Sequence, residues 1–168
     1  DYDELCRLAV QAEPFASLID PDDECFFHPD DMPAEIAGFC RETGQPEPAN
    51  PGAFACCCFE SLALVYRRKV DELRELTGWP VERLHVLGGG SRNNLLNQFT
   101  ANALAIPVAA GPAEVTALGN VVAQAIALDH LPDLPTARSR IVASFPPRIF
   151  LPEHKETWAA ANTRFAQL

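Results

Sequence analysis

The chain has 168 residues, the size of one domain with room for a substantial core, and it is 48% apolar and 21% charged. Thirteen basic residues against 23 acidic ones leave a formal charge of −10, which repels nucleic acid and anionic membrane, so neither is an expected partner. No apolar run approaches the ~18 residues of a membrane-spanning helix, and Asp1-Tyr2-Asp3-Glu4 is not a signal peptide, so the expected location is cytoplasmic.

Leu5, Leu8, Ala9 and Ala12 recur at helical spacing and predict a first helix over 2–12, ended by Pro14. An irregular acidic stretch then leads into Phe26-Phe27-His28-Pro29, where the phenylalanines are expected to anchor the loop and His28 to lie on the surface. Asp30 or Asp31 can cap a second helix, with Met32, Ile36, Phe39 and Cys40 on its buried face and Gly44 closing it. After the stiff connector Gln45-Pro46-Glu47-Pro48, Asn50 caps and Pro51 opens a third helix, which Gly78 and Pro80 stop. It is about 26 residues long, roughly 40 Å at ~1.5 Å per residue. Its expected apolar stripe is Cys58, Leu62, Tyr66, Val70 and Leu73, and its charges from Arg67 to Glu75 form a solvated face.

The six cysteines are Cys6, Cys25, Cys40, Cys56, Cys57 and Cys58. Three in a row have the wrong spacing for a zinc site, and no second pair answers Cys25 and His28. They are expected to be small buried hydrophobes.

The stretch with chemical content is Leu84-His85-Val86-Leu87, an apolar strand, followed by Gly88-Gly89-Gly90 and an amphipathic helix over 93–104. Three glycines at a strand-to-helix junction let a ligand approach bare backbone. The helix start adds unpaired N–H groups and a positive dipole end, an arrangement suited to a nucleotide. A sharp turn without a ligand is the alternative at this point. In the helix, Leu95, Leu96, Phe99 and Ala103 are expected on the sheet and Asn93, Asn94, Asn97, Gln98 and Asn102 elsewhere. Ile106 to Ala110 reads as a second strand, with Pro107 marking an edge strand or a strand start. A helix over 114–129 is expected to bury Val115, Leu118, Val122 and Ile126, with Gly119 costing about 1 kcal/mol in its interior. A short helix over 136–142, an extended segment over 145–148 and a last helix over 153–168, with Trp158, Ala161, Phe165 and Leu168 on one side, complete the chain. Two short strands are too few to support so many helices.

The glycine triplet is not the dinucleotide fingerprint, because Asn93 stands where its last glycine belongs. No P-loop and no Gly-x-Ser-x-Gly elbow is present, and no nucleophile lies beside a histidine. The residues from Leu84 to Leu104, with Ile106-Pro107-Val108 and Gly111-Pro112-Ala113-Glu114-Val115-Thr116-Ala117-Leu118-Gly119-Asn120, resemble the adenosine-motif region of the FGGY carbohydrate kinases in residues and spacing. Phe27-His28-Pro29-Asp30-Asp31-Met32 and Cys40-Arg41-Glu42-Thr43-Gly44 resemble the branch of that family acting on L-rhamnulose. The resemblance implies an α/β fold, an incomplete actin-like (ribonuclease H-like) ATPase domain that is helix-rich with few strands. It makes residues 1–168 a C-terminal nucleotide-binding domain lacking its opening strands, with the N-terminal catalytic domain absent.

It further implies that Gly88, Gly89 and Gly90 lie along the adenosine of ATP, with Asn93 near the adenine and Gly119 packing its helix closely behind the loop. ATP with Mg2+ and a ketose sugar are the implied cofactors and substrate. The catalytic base and the first phosphate loop belong to the other domain, so no catalytic or metal-binding residue is assigned, and the fragment alone is expected to be inactive. Two other readings remain open here. One is a sugar-responsive regulator on the same fold, which usually carries a basic helix-turn-helix that this chain lacks. The other is a truncated product with no function of its own.

Overall fold

A computed structural model describes all 168 residues. In chain order the elements are α1 (Tyr2–Ala9), α2 (Met32–Glu42), α3 (Pro51–Thr77), β1 (Leu84–Val86), α4 (Asn94–Leu104), β2 (Val108–Ala110), α5 (Val115–Ala127), α6 (Leu134–Ser144), β3 (Arg148–Phe150) and α7 (Lys155–Phe165). The long helix α3 is the spine. Asn50 caps it by accepting the Ala53 N–H at 3.0 Å, Pro51 occupies its first turn, and Gly78 ends it at φ +67°. Helix α1 crosses its start so closely that a Cβ on Gly52 would meet the Leu8 carbonyl oxygen at 2.7 Å.

The main core lies between α3, α4 and α7: Leu18, Ala63, Leu64, Val65, Ala103, Trp158, Ala161 and Phe165. Phe15 and Phe99 close on Trp158 with ring centroids 4.8 and 5.3 Å away. A second cluster under α2 joins Ile19, Phe26, Ile36, Cys40 and Cys57. Arg68 ties the two by a bidentate pair with Asp20 (2.8 and 2.9 Å) while its guanidinium lies 5.4 Å from the Phe165 ring centroid.

Several expectations need correction. The first helix stops at Ala9, and Val10 to Ala12 continue as turns. The buried stripe of α3 includes Val70 as expected, but Cys58 and Leu62 are only half-buried and the rest is rotated. Cys56, Cys57, Glu60, Ser61, Ala63, Leu64 and Val65 are inside, whereas Tyr66 and Leu73 are exposed. The reason is that α1, α2, α4 and α7 surround the first half of the helix, while its last turns run past them. Of the phenylalanine pair, only Phe26 anchors its loop; Phe27 is exposed. The final Leu168 is exposed too.

The sheet has three strands in the order β1-β2-β3, β1 and β2 parallel, β2 and β3 antiparallel. Register places Leu84 opposite Val108 and Val108 opposite Phe150. The third strand overlaps the stretch read as extended only at Arg148. Pro107 precedes β2, which is central and not an edge; its missing N–H is harmless there, and its carbonyl accepts the Leu84 N–H at 3.1 Å. Two amides of α4 turn to neighbouring loops. Asn97 and Asn102 are buried, and Asn102 Oδ1 accepts from both Gln98 Nε2 and the Glu153 N–H at 2.8 Å, clamping the chain that leaves β3. Helix α5 buries no residue, so Val115, Leu118, Val122 and Ile126 are only half-covered.

Candidate functional site

The glycine turn stands at the C-terminal ends of two parallel strands, where open α/β sheets hold ligands. Two loops meet there. The Gly111 N–H donates to the Val86 carbonyl at 2.8 Å, and the Gly88 N–H donates to the Pro112 carbonyl at 3.1 Å, so the chain after β1 and the chain after β2 lie side by side.

Gly88 sits at φ +75°, ψ −158°, a backbone conformation that a side chain would strain. Its carbonyl accepts from the Ser91 N–H (3.1 Å) and Ser91 Oγ (2.7 Å), which bends Gly89–Arg92 into one tight turn. Beneath it, the buried Asn97 amide donates to the Gly90 and Ser91 carbonyls at 3.4 and 3.1 Å. The turn is therefore fixed from below and bare above. A Cβ on Gly89 would meet nothing within 4 Å, and one on Gly90 only Val86 Cγ1 at 3.7 Å. The N–H groups of Gly89 and Gly90 find no acceptor within the chain. Two adjacent N–H groups without partners, on backbone without side chains, can serve an anionic or hydroxyl-bearing ligand. Across the mouth, Arg92 and Glu114 pair at 2.7 Å, but both are well exposed, so the pair is a weak strap.

Asn93 lies under the turn, 6% exposed. Its Oδ1 caps α4 by accepting the Leu96 N–H at 3.0 Å, and its Nδ2 donates to the Tyr2 hydroxyl at 2.6 Å. Burial, the largest cause, holds the Tyr2 hydroxyl above its ordinary pKa. An open groove of ≈430 Å³ runs alongside, walled by Tyr2, Arg7, Arg92, Asn94, Gln98 and Arg148. Gly119 differs from its implied role: it is exposed in α5, with nothing within 4 Å of an added Cβ, so it packs against no part of the loop.

Glu60 was not singled out from sequence. It is 2% exposed, accepts the Phe15 N–H at 2.9 Å, and burial pushes its carboxyl up to about 7. It lines a cavity of ≈320 Å³ together with Phe15, Cys56, Phe99, Asn102 and Trp158, on the far side of α4 from the sheet. An acidic residue inside the apolar run Phe54 to Val65 was the available signal.

This arrangement, a helix-rich α/β unit with a bare glycine turn over parallel strand ends, is an actin-like ATPase fold. The chain belongs to the FGGY family of carbohydrate kinases: the family model for the C-terminal domain matches residues 1–128. It is 51% identical over 164 residues to a rhamnulokinase of Bacteroides thetaiotaomicron, covering 98% of this chain and 34% of that protein. A rhamnulokinase of Pectobacterium carotovorum is 42% identical over 168 residues, all of this chain and again 34% of the relative. Among solved structures, xylulose kinase from Rhodospirillum rubrum superposes with a TM-score of 0.62 at 20% identity, over 99% of this chain and 33% of that one. The chain thus spans about a third of the length of the curated relatives it matches.

Proposed function

We propose that this chain supplies the adenosine-binding part of an ATP-dependent ketose kinase, one that converts L-rhamnulose to L-rhamnulose 1-phosphate. The observation that carries the reading is the pair of unpartnered N–H groups at Gly89 and Gly90 on backbone no side chain covers. The nucleoside lies along Gly88, Gly89 and Gly90, between that turn and the segment 111–114. Asn93 stands at the adenine end, where its commitments to Tyr2 and to the α4 cap hold the turn in register. The sugar assignment is supported by the rhamnulokinase relatives.

In this reading residues 1–168 are the C-terminal nucleotide-binding domain without its opening strands. The outer edge of β1, at the end of the sheet order, is where those strands would pair. Carbohydrate kinases use ATP, typically with Mg2+. This chain gathers no group of three or more His, Cys, Asp or Glu side chains, and a nucleotide-borne Mg2+ would be held mainly by phosphates, waters and one or two carboxylates. Phosphoryl transfer is mostly positioning of nucleotide, metal and hydroxyl together. The catalytic base and the remaining phosphate contacts then reside in the other two thirds of the relatives' length.

Co-expression with the N-terminal two thirds of the Bacteroides relative tests this, with ADP release as the readout. ADP release that needs both polypeptides and L-rhamnulose is the expected result, with none from the 168-residue chain alone. Release with a different ketose only would overturn the sugar assignment. An assembled complex that takes up no ATP would overturn the whole reading.

A further inference from the structure

The cavity on the far side of α4, at ≈320 Å³, is of a size that takes a small molecule. Its walls are mainly apolar, Ala9, Phe15, Leu95 and Phe99 among them, and the exposed His154 and Thr157 stand at its rim. Three buried polar side chains border it: Glu60, Asn102 and Trp158, at 2%, 5% and 3% exposure. Each has hydrogen-bonding capacity to spare. Asn102 Oδ1 accepts from Gln98 Nε2 and from the Glu153 N–H, both at 2.8 Å, and the backbone donor fixes that atom as the oxygen. Its Nδ2 then finds no acceptor in the chain. The Trp158 ring packs against Phe15 and Phe99, and its indole N–H finds no acceptor either. Glu60 Oε2 accepts the Phe15 N–H at 2.9 Å, and the carboxyl otherwise has only the weak donor of the Cys56 thiol near it. Glu60 also borders a crevice of ≈290 Å³ between the segments 13–17 and 46–50, whereas Asn102 and Trp158 border no other of the larger cavities. No fully enclosed side-chain nitrogen or oxygen lacks a hydrogen bond. Two unbonded N–H groups on residues this buried therefore open onto the cavity.

We propose that this cavity is a binding site for a small, uncharged, mainly apolar molecule that carries a carboxamide. The apolar and aromatic walls take its body. Its carbonyl oxygen offers lone pairs to the N–H groups of Asn102 and Trp158, and its amide N–H donates to the Glu60 carboxyl. Other chemistries fit less well. A cationic amine satisfies Glu60 but turns more N–H groups against the two donors. A carboxylate satisfies the donors but sets a second acidic group against Glu60. A hydrocarbon fills the volume and leaves all three polar side chains unmet. The amide answers donors and acceptor at once. The walls come from α1, α3, α4 and α7 and the segment 10–15, with no contribution from the glycine turn, so the site is independent of the nucleotide assignment.

Titration of the folded 168-residue chain with benzamide, followed by NMR of the side-chain amides and indoles, tests the site. The chain has two tryptophans, and Trp79, at 76% exposure, is the internal control. Saturable shifts of the Trp158 indole N–H and the Asn102 amide are expected, with ring-proton NOEs from benzamide to Leu95 and Phe99 and a still Trp79. Toluene, benzoate and benzylamine are each expected to bind about tenfold more weakly, the effect of an unmet polar group. Glu60→Gln keeps its oxygen on the Phe15 N–H and so turns an N–H towards the ligand. It is expected to weaken benzamide by about tenfold while the indole signal still moves. The unsubstituted chain decides the matter if Glu60→Gln fails to fold. Shifts that do not saturate, toluene binding as tightly as benzamide, or a benzamide affinity untouched by Glu60→Gln would each overturn the proposal.

Discussion

Helix α3 and helix α5 are both apolar by sequence, yet the structure treats them oppositely. Leu64 of α3 is fully enclosed by residues of α4 and α7 and by Leu18, whereas α5 buries nothing and leaves Val121 at 63% exposure. The neighbouring α6 leaves Leu134 and Val142 exposed as well. Period in a sequence says which side of a helix needs cover; it does not say that the cover is in the same 168 residues. All three apolar clusters lie outside the arm over 115–144. The arm over 115–144 is held by its own helices and by the loop contacts at 111–114, and in the proposed reading its apolar side faces the nucleotide and the rest of the kinase.

Substitutions should separate the two halves sharply. Trp158→Ala empties the space between Phe15 and Phe99 and is expected to cost about 3–5 kcal/mol, read as a fall in the denaturant midpoint. A loss under 1 kcal/mol would contradict the placement of the core there. Glu60 gives a smaller and pH-dependent effect. Its folded carboxyl titrates at about 7, against about 4.3 for an unfolded glutamate. Between those values the folded chain keeps a proton that the unfolded chain has lost, so stability falls as pH rises through this window and levels off above it. Glu60→Gln removes the slope. Its gain over the natural chain should therefore be larger at pH 8 than at pH 4, by up to about 3 kcal/mol; parallel pH profiles would contradict the buried carboxyl. Leu128→Ala in the arm should change stability by less than about 0.5 kcal/mol, since Leu128 is 65% exposed and no cavity follows its truncation.

How far the residues alone led follows from the same contrast. Signals that act within a few residues were legible: Asn50-Pro51 and Gly78 bound α3, Asp31 caps α2, and the strand, glycine turn and helix stand where expected. The strand at Arg148–Phe150 was not, because three residues with Ile149 exposed carry no period and depend wholly on pairing with Val108–Ala110. Nor were the inward amides. Asn97 and Asn102 could be placed off the sheet, but the loops they hold, at Gly90 and Glu153, are set only by the fold. The glycine triplet was readable as bare backbone, but the two free N–H groups became visible only with the turn built. The burial of Glu60 depends on segments far apart in the chain meeting, which no spacing announces.

Amide NMR of the isotopically labelled chain during a titration with Mg2+-ATP addresses the central claim most directly. Saturable shifts at Gly89 and Gly90, shared by residues 111–114 and lost in a folded Gly89→Val variant, are the predicted result. A folded chain in which those amides stay still, or in which shifts gather around the Glu60 cavity instead, would contradict it.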